Sequence, residues 1–314
     1  MAALLCLALA LTVTGSVSAQ TPLSGIVVFG TSLSDSGNAY VLLGDQSTPP
    51  DFGLNPLLVP SAPYARGGHH FSNGATWIEQ YAGSIGLGGS VRPALGSSSP
   101  EATNFAVGAA RAYEDGVNFN LTLQVSTFLQ RSGGVASPNA LYVIEMGSND
   151  VRDAFQLYVS GPNGPSLAAG IINAALTSIA ANVQRLYAAG ARNFLVWSSP
   201  NIALTPAVRS LGSTAGLLAA GLTQQFNTNL DAVVAGLAAL PGATFTRLDA
   251  FAILTAIVMN PSSFGLADAA SACLGGDTPP FTCQNVDEFL FWDGIHPTRA
   301  GHAIFAEATA NLLQ

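Results

Sequence analysis

The stretch "GTSLSDSG" (30–37) follows the apolar run "GIVVF" and carries two serines, Ser32 and Ser34. Serine hydroxyls in turns commonly do no more than bond the nearby backbone, so a loop serine is by itself a weak candidate for a nucleophile. A nucleophilic serine also needs a neighbouring base, and histidine is the side chain that titrates near neutral pH. The histidines therefore decide whether this stretch can do chemistry.

One of the four histidines stands close in sequence to a carboxylate. His296 lies in "FWDGIHPT", three residues after Asp293, and one short turn can present such a carboxylate to the imidazole. The same spacing also fits an Asp that caps a helix before a surface His, and the motif alone leaves that alternative open. The other histidines are His69, His70 and His302. No H-x-H or H-E-x-x-H spacing occurs, so we predict no metal site.

Two further groups could stabilise negative charge on a substrate oxygen. Asn149, in "GSND", directly follows an apolar run, and Gly108 follows "NFAV". Amide side chains and backbone N–H groups at strand ends are the donors that an oxyanion hole requires. Each position also fits an ordinary strand-to-loop turn, so neither decides the question alone.

The elements that would position these residues alternate along the chain. Short apolar runs predict buried strands over 25–30, 104–108, 140–147, 192–199 and 243–250. Helical patterns bounded by Pro and Gly cover 165–190, 215–240 and 297–313. This alternation predicts an α/β fold, a three-layer sandwich with a central, mostly parallel five-stranded sheet. In such a sheet the polar residues after the strands meet at the carboxyl edge, where ligands bind.

Four stretches carry a resemblance to a known family. "FGTSLSDSGN", "NFAVGAA", "GSND" and "DGIHP" occur in the order and approximate spacing of the four blocks of the GDSL, or SGNH, hydrolases. The segments 70–82 and 260–302 resemble the secreted fungal and plant-type branch, and within it they are most similar to the fungal acetylesterases of carbohydrate esterase family sixteen. The resemblance implies the flavodoxin-like SGNH hydrolase fold in one domain over 20–314, with no cofactor.

The resemblance also implies a role for each candidate residue. Ser32 would be the nucleophile, His296 the base, and Asp293 the residue that orients the base. The oxyanion hole would be formed by the N–H groups of Ser32 and Gly108 and by the side chain of Asn149. The chain departs from the family pattern at Thr31, where the family usually has Asp, and after Gly108, where a second Gly is common.

We therefore expect an esterase that cleaves short acyl, above all acetyl, esters of hemicellulose-derived carbohydrates through an acyl-serine. One alternative is a lipase or thioesterase that acts on longer acyl chains. Another is a weakly active carbohydrate-binding protein of the same fold. Thr31 favours this last alternative, and the intact Ser32, Asp293, His296 and Asn149 oppose it.

Composition and termini indicate where the protein works. The formal net charge is −8 with no Lys, so we expect neither nucleic-acid nor membrane partners, and we expect a monomer. Residues 1–19 read as a signal peptide of a secreted protein. In an oxidising compartment Cys273 and Cys283 most simply form a disulfide. Asn120, in Asn-Leu-Thr, is a candidate glycosylation site.

Overall fold

The central sheet consists of four parallel strands that lie side by side in chain order. They are β1 (Ile26–Gly30), β2 (Leu141–Glu145), β3 (Asn193–Trp197) and β4 (Thr244–Leu248). The structure is a computed structural model, and it describes residues 22–42, 69–274 and 282–314. The predicted signal peptide, residues 1–19, lies outside the described residues.

Helices cover both faces of this sheet, because alternate strand residues bury apolar side chains on opposite sides. Their bounds are α1 (Asn38–Leu42), α2 (Trp77–Ser84), α3 (Leu121–Arg131), α4 (Ser148–Tyr158), α5 (Gly164–Ala189), α6 (Pro206–Arg209), α7 (Ser213–Leu237), α8 (Ala250–Met259) and α9 (Arg299–Leu312). Helices α3, α4, α5 and α7 pack on one face, and α2, α8 and α9 on the other. The predicted three-layer α/β class is confirmed.

The expected fifth strand, 104–108, is not a strand. This segment runs beside β1 and makes an isolated parallel bridge from Asn104 to Val28. The N–H of Phe105 donates to the carbonyl of Val28 at 2.8 Å, and that of Val107 donates to the carbonyl of Gly30 at 3.2 Å. The segment therefore lies where a fifth strand would lie, but its pairing with β1 is too short to form a ladder.

The long helices form where their patterns predict them. Helix α5 begins with Pro165 in its first turn and ends at Gly190, whose φ is +121°. Helix α5 is long and apolar enough to cross a membrane. Core helices of folded domains often have the same length and composition. The apolar side chains on one face of α5, among them Ile172 and Ile179, are buried in the core under the sheet. Tertiary packing therefore accounts for its apolar character.

A small second sheet supports the last part of the chain. It pairs β5 (Asp268–Ala272) with β6 (Phe289–Phe291) in parallel. Just beyond β5, the N–H of Cys273 bonds the carbonyl of Phe291 at 2.9 Å, and the N–H of Leu274 bonds that of Trp292. This small sheet therefore fixes the backbone immediately before Asp293.

Candidate active site

Ser32 stands at the carboxyl edge of the sheet, two residues after β1 ends. Its Oγ lies 2.8 Å from Nε2 of His296, although 264 residues separate the two in sequence. Both side chains are almost fully buried. The structure thus brings together the two residues that the sequence analysis pairs as nucleophile and base.

Asp293 holds the ring of His296 from the other side. Its Oδ2 lies 2.7 Å from His296 Nδ1, and its Oδ1 accepts the N–H groups of Ile295 at 2.8 Å and His296 at 2.7 Å. A carboxylate accepts hydrogen bonds, so the proton of a neutral ring sits on Nδ1 and Nε2 is left to accept from Ser32. The residues form one hydrogen-bonded chain from carboxylate to hydroxyl, in the geometry of a Ser–His–Asp triad.

Two of the three predicted oxyanion donors are available. The N–H of Ser32 has no acceptor within the part of the chain that the structure describes. One hydrogen of the Asn149 amide donates to the carbonyl of Ala110 at 2.8 Å, which leaves its second hydrogen free to donate. Asn149 lies in the first turn of α4, directly after the carboxyl end of β2.

The prediction for Gly108 is wrong, because its N–H is already used. It donates to Oδ2 of Asp35 at 2.8 Å. The glycine is required for packing instead, since a Cβ at this position would lie 2.1 Å from the ring of Phe71. That ring also stands 5.2 Å, centroid to centroid, from the imidazole of His296. Phe71 therefore closes the space over Gly108.

The next N–H along the chain, that of Ala109, has no acceptor in 22–42, 69–274 or 282–314. Ala109 has a φ of +64°, in the left-handed region that residues with a Cβ rarely adopt. This is the position at which the family resemblance places a second glycine. The backbone therefore keeps a glycine-type conformation here although the residue is alanine.

Two buried carboxylates fix the segment around Ala109. Asp35 accepts the N–H groups of Gly108 and of residues 37–39, the residue before α1 and the first two residues of that helix. Asp150 accepts those of Ala112 at 2.9 Å and Tyr113 at 3.0 Å. Burial raises the pKa of each carboxyl to about 6, and the N–H donors lower it in part.

Thr31, the departure from the family pattern, bonds a carboxylate on the neighbouring strand. Its N–H donates to Oε2 of Glu145 at 2.9 Å, and its hydroxyl lies 3.0 Å from the same oxygen. Burial raises the pKa of Glu145 to about 7. The sequence analysis missed Glu145, whose signal was a charged residue ending the otherwise apolar run "LYVIE".

A cavity opens beside Ser32, and Gly108 is not among the residues that line it. Apolar side chains dominate its wall, and the cavity-lining residues include Trp197, Ile202, Val208, Leu254 and Phe305. The polar groups of Asn149, Arg152, His296 and His302 also border it. Burial lowers the pKa of His302 to about 3, so this imidazole is neutral at physiological pH.

The two remaining sequence predictions have different outcomes. The disulfide between Cys273 and Cys283 is present. The glycan at Asn120 is at odds with the fold, because this side chain is fully buried. Its Oδ1 accepts the N–H of Arg111 at 2.9 Å and its Nδ2 donates to Asp115 at 2.7 Å. A glycan on this nitrogen has no room in the folded protein.

Fold and site together describe an α/β protein with a Ser–His–Asp chain at the carboxyl edge of a parallel sheet. The family described as GDSL-like Lipase/Acylhydrolase matches residues 26–309. The chain therefore belongs to this family.

Its relatives include esterases or lipases of Arabidopsis thaliana. GDSL esterase/lipase At2g04570 is 26% identical over 324 residues, which cover 91% of this chain and 90% of that protein. GDSL esterase/lipase At5g41890 is 26% identical over 326 residues, covering 90% and 87%. GDSL esterase/lipase At1g73610 is 29% identical over 179 residues, and there the match spans 56% of this chain and about half, 52%, of the relative. Family and relatives support a carboxylic ester hydrolase.

Proposed function

We propose that the protein is a secreted serine esterase that works through an acyl-serine intermediate. The observation that carries the proposal is the unbroken hydrogen-bonded chain from Asp293 through His296 to Ser32. The membership of the GDSL-like family supports the reaction class. Secretion rests on the apolar N-terminal stretch, residues 1–19, and on the paired cysteines.

In the proposed reaction, Oγ of Ser32 attacks the ester carbonyl carbon while Nε2 of His296 takes the hydroxyl proton. The carbonyl π electrons move onto oxygen, and Asp293 stabilises the imidazolium that forms. When the tetrahedral intermediate collapses, the C–O bond to the alcohol breaks and the alcohol takes the proton from Nε2. A water then attacks the acyl-serine by the same route, which releases the carboxylic acid and restores the Ser32 hydroxyl.

The oxyanion is held by the N–H of Ser32, the side-chain amide of Asn149 and the N–H of Ala109. Ala109 takes the place predicted for Gly108, whose N–H is bonded to Asp35. Three observations support Ala109 as this donor. Its N–H is the next one along the chain and lacks an acceptor in the described residues, and its backbone has a φ of +64°, which glycine adopts readily. Removing one such donor typically costs about 10²–10³-fold in turnover.

For the substrate we propose acetyl esters of carbohydrates, on the resemblance of the segments 70–82 and 260–302. A narrow slot beside Gly108 would favour acetate, but the ring of Phe71 fills this space. The apolar cavity bordered by Leu254 and Phe305 favours a second candidate, an ester with a somewhat longer acyl chain. Each methylene buried there would gain about 0.8 kcal/mol.

The decisive experiment is labelling with a serine-reactive fluorophosphonate, with ester hydrolysis measured alongside. Wild type is expected to be labelled at Ser32, and Ser32→Ala to lose both labelling and hydrolysis, by about 10⁶-fold in turnover. Ser34→Ala is the matched control and should still be labelled at Ser32. Labelling that persists in Ser32→Ala contradicts the assignment.

Acyl preference is measured separately, with esters from acetate to palmitate of one common alcohol. Highest kcat/KM for acetate supports the acetylesterase, and a maximum at butyrate or hexanoate supports the cavity as the acyl site. A steady rise to palmitate would identify a lipase instead.

A further inference from the structure

The turn that carries Ser32 is bonded to one buried carboxylate that the proposed reaction does not use. Oε2 of Glu145 accepts the N–H of Thr31 at 2.9 Å and the hydroxyl of Ser34 at 3.1 Å. The Thr31 hydroxyl lies 3.1 Å and 3.0 Å from Oε1 and Oε2 respectively. The carboxyl group of Glu145 is therefore hydrogen-bonded to the residues on both sides of Ser32, Thr31 and Ser34, and not to Ser32 itself.

The surroundings hold this carboxylate in one place. Glu145 ends β2 and pairs in register with Gly30, the last residue of β1. A Cβ on Gly30 would lie 2.9 Å from Oε2 of Glu145, so only glycine allows this approach. On the far side, the Ser34 hydroxyl accepts the indole N–H of Trp77 at 2.9 Å. A continuous polar chain thus runs from the core helix α2 through Ser34 and Glu145 to Thr31.

The arrangement explains how the chain tolerates threonine at position 31. An aspartate there would place a second carboxylate at hydrogen-bond distance from Glu145, and both would have to be buried. Here Thr31 instead donates two hydrogen bonds to a carboxylate that comes from the neighbouring strand. The carboxyl group behind the nucleophile is kept, but it comes from the end of β2 instead of from position 31.

We propose that Glu145 is the positioning residue for the nucleophile turn and that Thr31 and Glu145 act as one exchangeable pair. Glu145 lies behind the turn and does not border the cavity beside Ser32. Its loss therefore lowers kcat and the rate of covalent labelling, while KM changes little. This inference rests on the proposed esterase function.

The test is a double-mutant cycle on Thr31→Asp and Glu145→Gln. Each single variant should lower kcat and the fluorophosphonate labelling rate by about 10-fold or more, because Thr31→Asp places two carboxyl groups against each other and Glu145→Gln replaces the carboxyl group that bonds Thr31 and Ser34 with an amide. The double variant restores one carboxylate, now at position 31, and should recover kcat to within a few-fold of wild type. Glu101→Gln, which removes an exposed carboxylate paired with Arg92, is the control and should leave kcat unchanged.

The experiment distinguishes a failure of the proposed esterase function from a failure of the Thr31–Glu145 pairing. If wild type neither hydrolyses esters nor is labelled, the proposed function fails. If wild type is active and the losses of Thr31→Asp and Glu145→Gln simply multiply in the double variant, only the pairing is wrong. Should Glu145→Gln not fold, Thr31→Val removes the hydroxyl alone, and an unchanged kcat in that variant overturns the proposal.

Discussion

Replacing Glu145 by Gln gives a thermodynamic measure of how far burial shifts the titration of the carboxyl group behind the nucleophile turn. Burial raises the pKa of Glu145 from its ordinary 4.5 to about 7, and the donors on Thr31 and Ser34 lower it only in part. The nearby charge of Asp150 raises it further. At 1.36 kcal/mol per pH unit, this difference corresponds to about 3 kcal/mol of unfolding free energy.

The sign follows from where the proton is bound. Between pH 4.5 and about 7 the native state keeps the proton of Glu145, while the unfolded chain has lost it. The stabilisation is therefore fully present below pH 4.5 and is lost as the pH rises through about 7. Glutamine has no proton to lose, so the unfolding free energy of wild type should fall relative to that of Glu145→Gln across this window.

The assay is urea unfolding of wild type and variant at half-unit steps from pH 4.5 to 8. Other titrating groups, such as Asp35 and His302, are present in both proteins and cancel in the difference. Glu79→Gln is the control, because the pKa of Glu79 is lowered and its own difference should change only below pH 4.5. Two results would refute the reasoning. In the first, the difference in unfolding free energy between wild type and Glu145→Gln does not change with pH. In the second, wild type becomes more stable relative to Glu145→Gln as the pH rises. The second result would mean that the three donors outweigh burial.

Three other substitutions test separate parts of the site. Ala109→Gly should raise the free energy of unfolding by about 0.5–1 kcal/mol, because glycine adopts a positive φ without steric strain. Ala110→Gly, at a buried position with ordinary φ, should lower it, and denaturant midpoints measure both changes. Asp293→Asn should fold normally yet lose about 10²–10⁴-fold in kcat, because the ring of the base loses its orienting carboxylate; full activity would contradict the triad. Replacing Cys273 and Cys283 by Ser should cost about 2–3 kcal/mol of stability and lower kcat, since the bridged segment is bonded to the strand that leads into Asp293; unchanged midpoints would rule this out.

Local patterns in the sequence were enough to locate the strands and the long helices, and the family resemblance then assigned the Ser–His–Asp residues. Strands β1, β2 and β3 are largely apolar runs, and α5 is bounded by Pro165 and Gly190, so each of these elements carries its own signal. His296 and Asp293 are three residues apart, so their contact is a property of one turn. Ser32 could be joined to them because residues after parallel strands meet at one edge.

What escaped prediction depends on contacts between distant segments. Gly108 donates to Asp35, 73 residues away, and nothing within "NFAVGAA" indicates that its N–H is already used. The Asn120 triplet is a local pattern, whereas its burial is set by Arg111 and Asp115 in the folded loop. The segment 104–108 has strand-like composition, but whether it forms a ladder depends on how far it follows β1.

The unusual conformation of Ala109 is maintained by residues other than Ala109. An L-residue at positive φ persists only where its surroundings fix the backbone on both sides. Asp35 fixes the preceding residue through the N–H of Gly108, and Asp150 fixes the chain beyond it through Ala112. Since these carboxylates lie in different elements, a glycine at position 109 is not needed to hold the turn, and the family's second glycine could be replaced without losing the N–H that it presents. The geometry of the proposed oxyanion hole is therefore set by two remote carboxylates more than by the residue type at position 109.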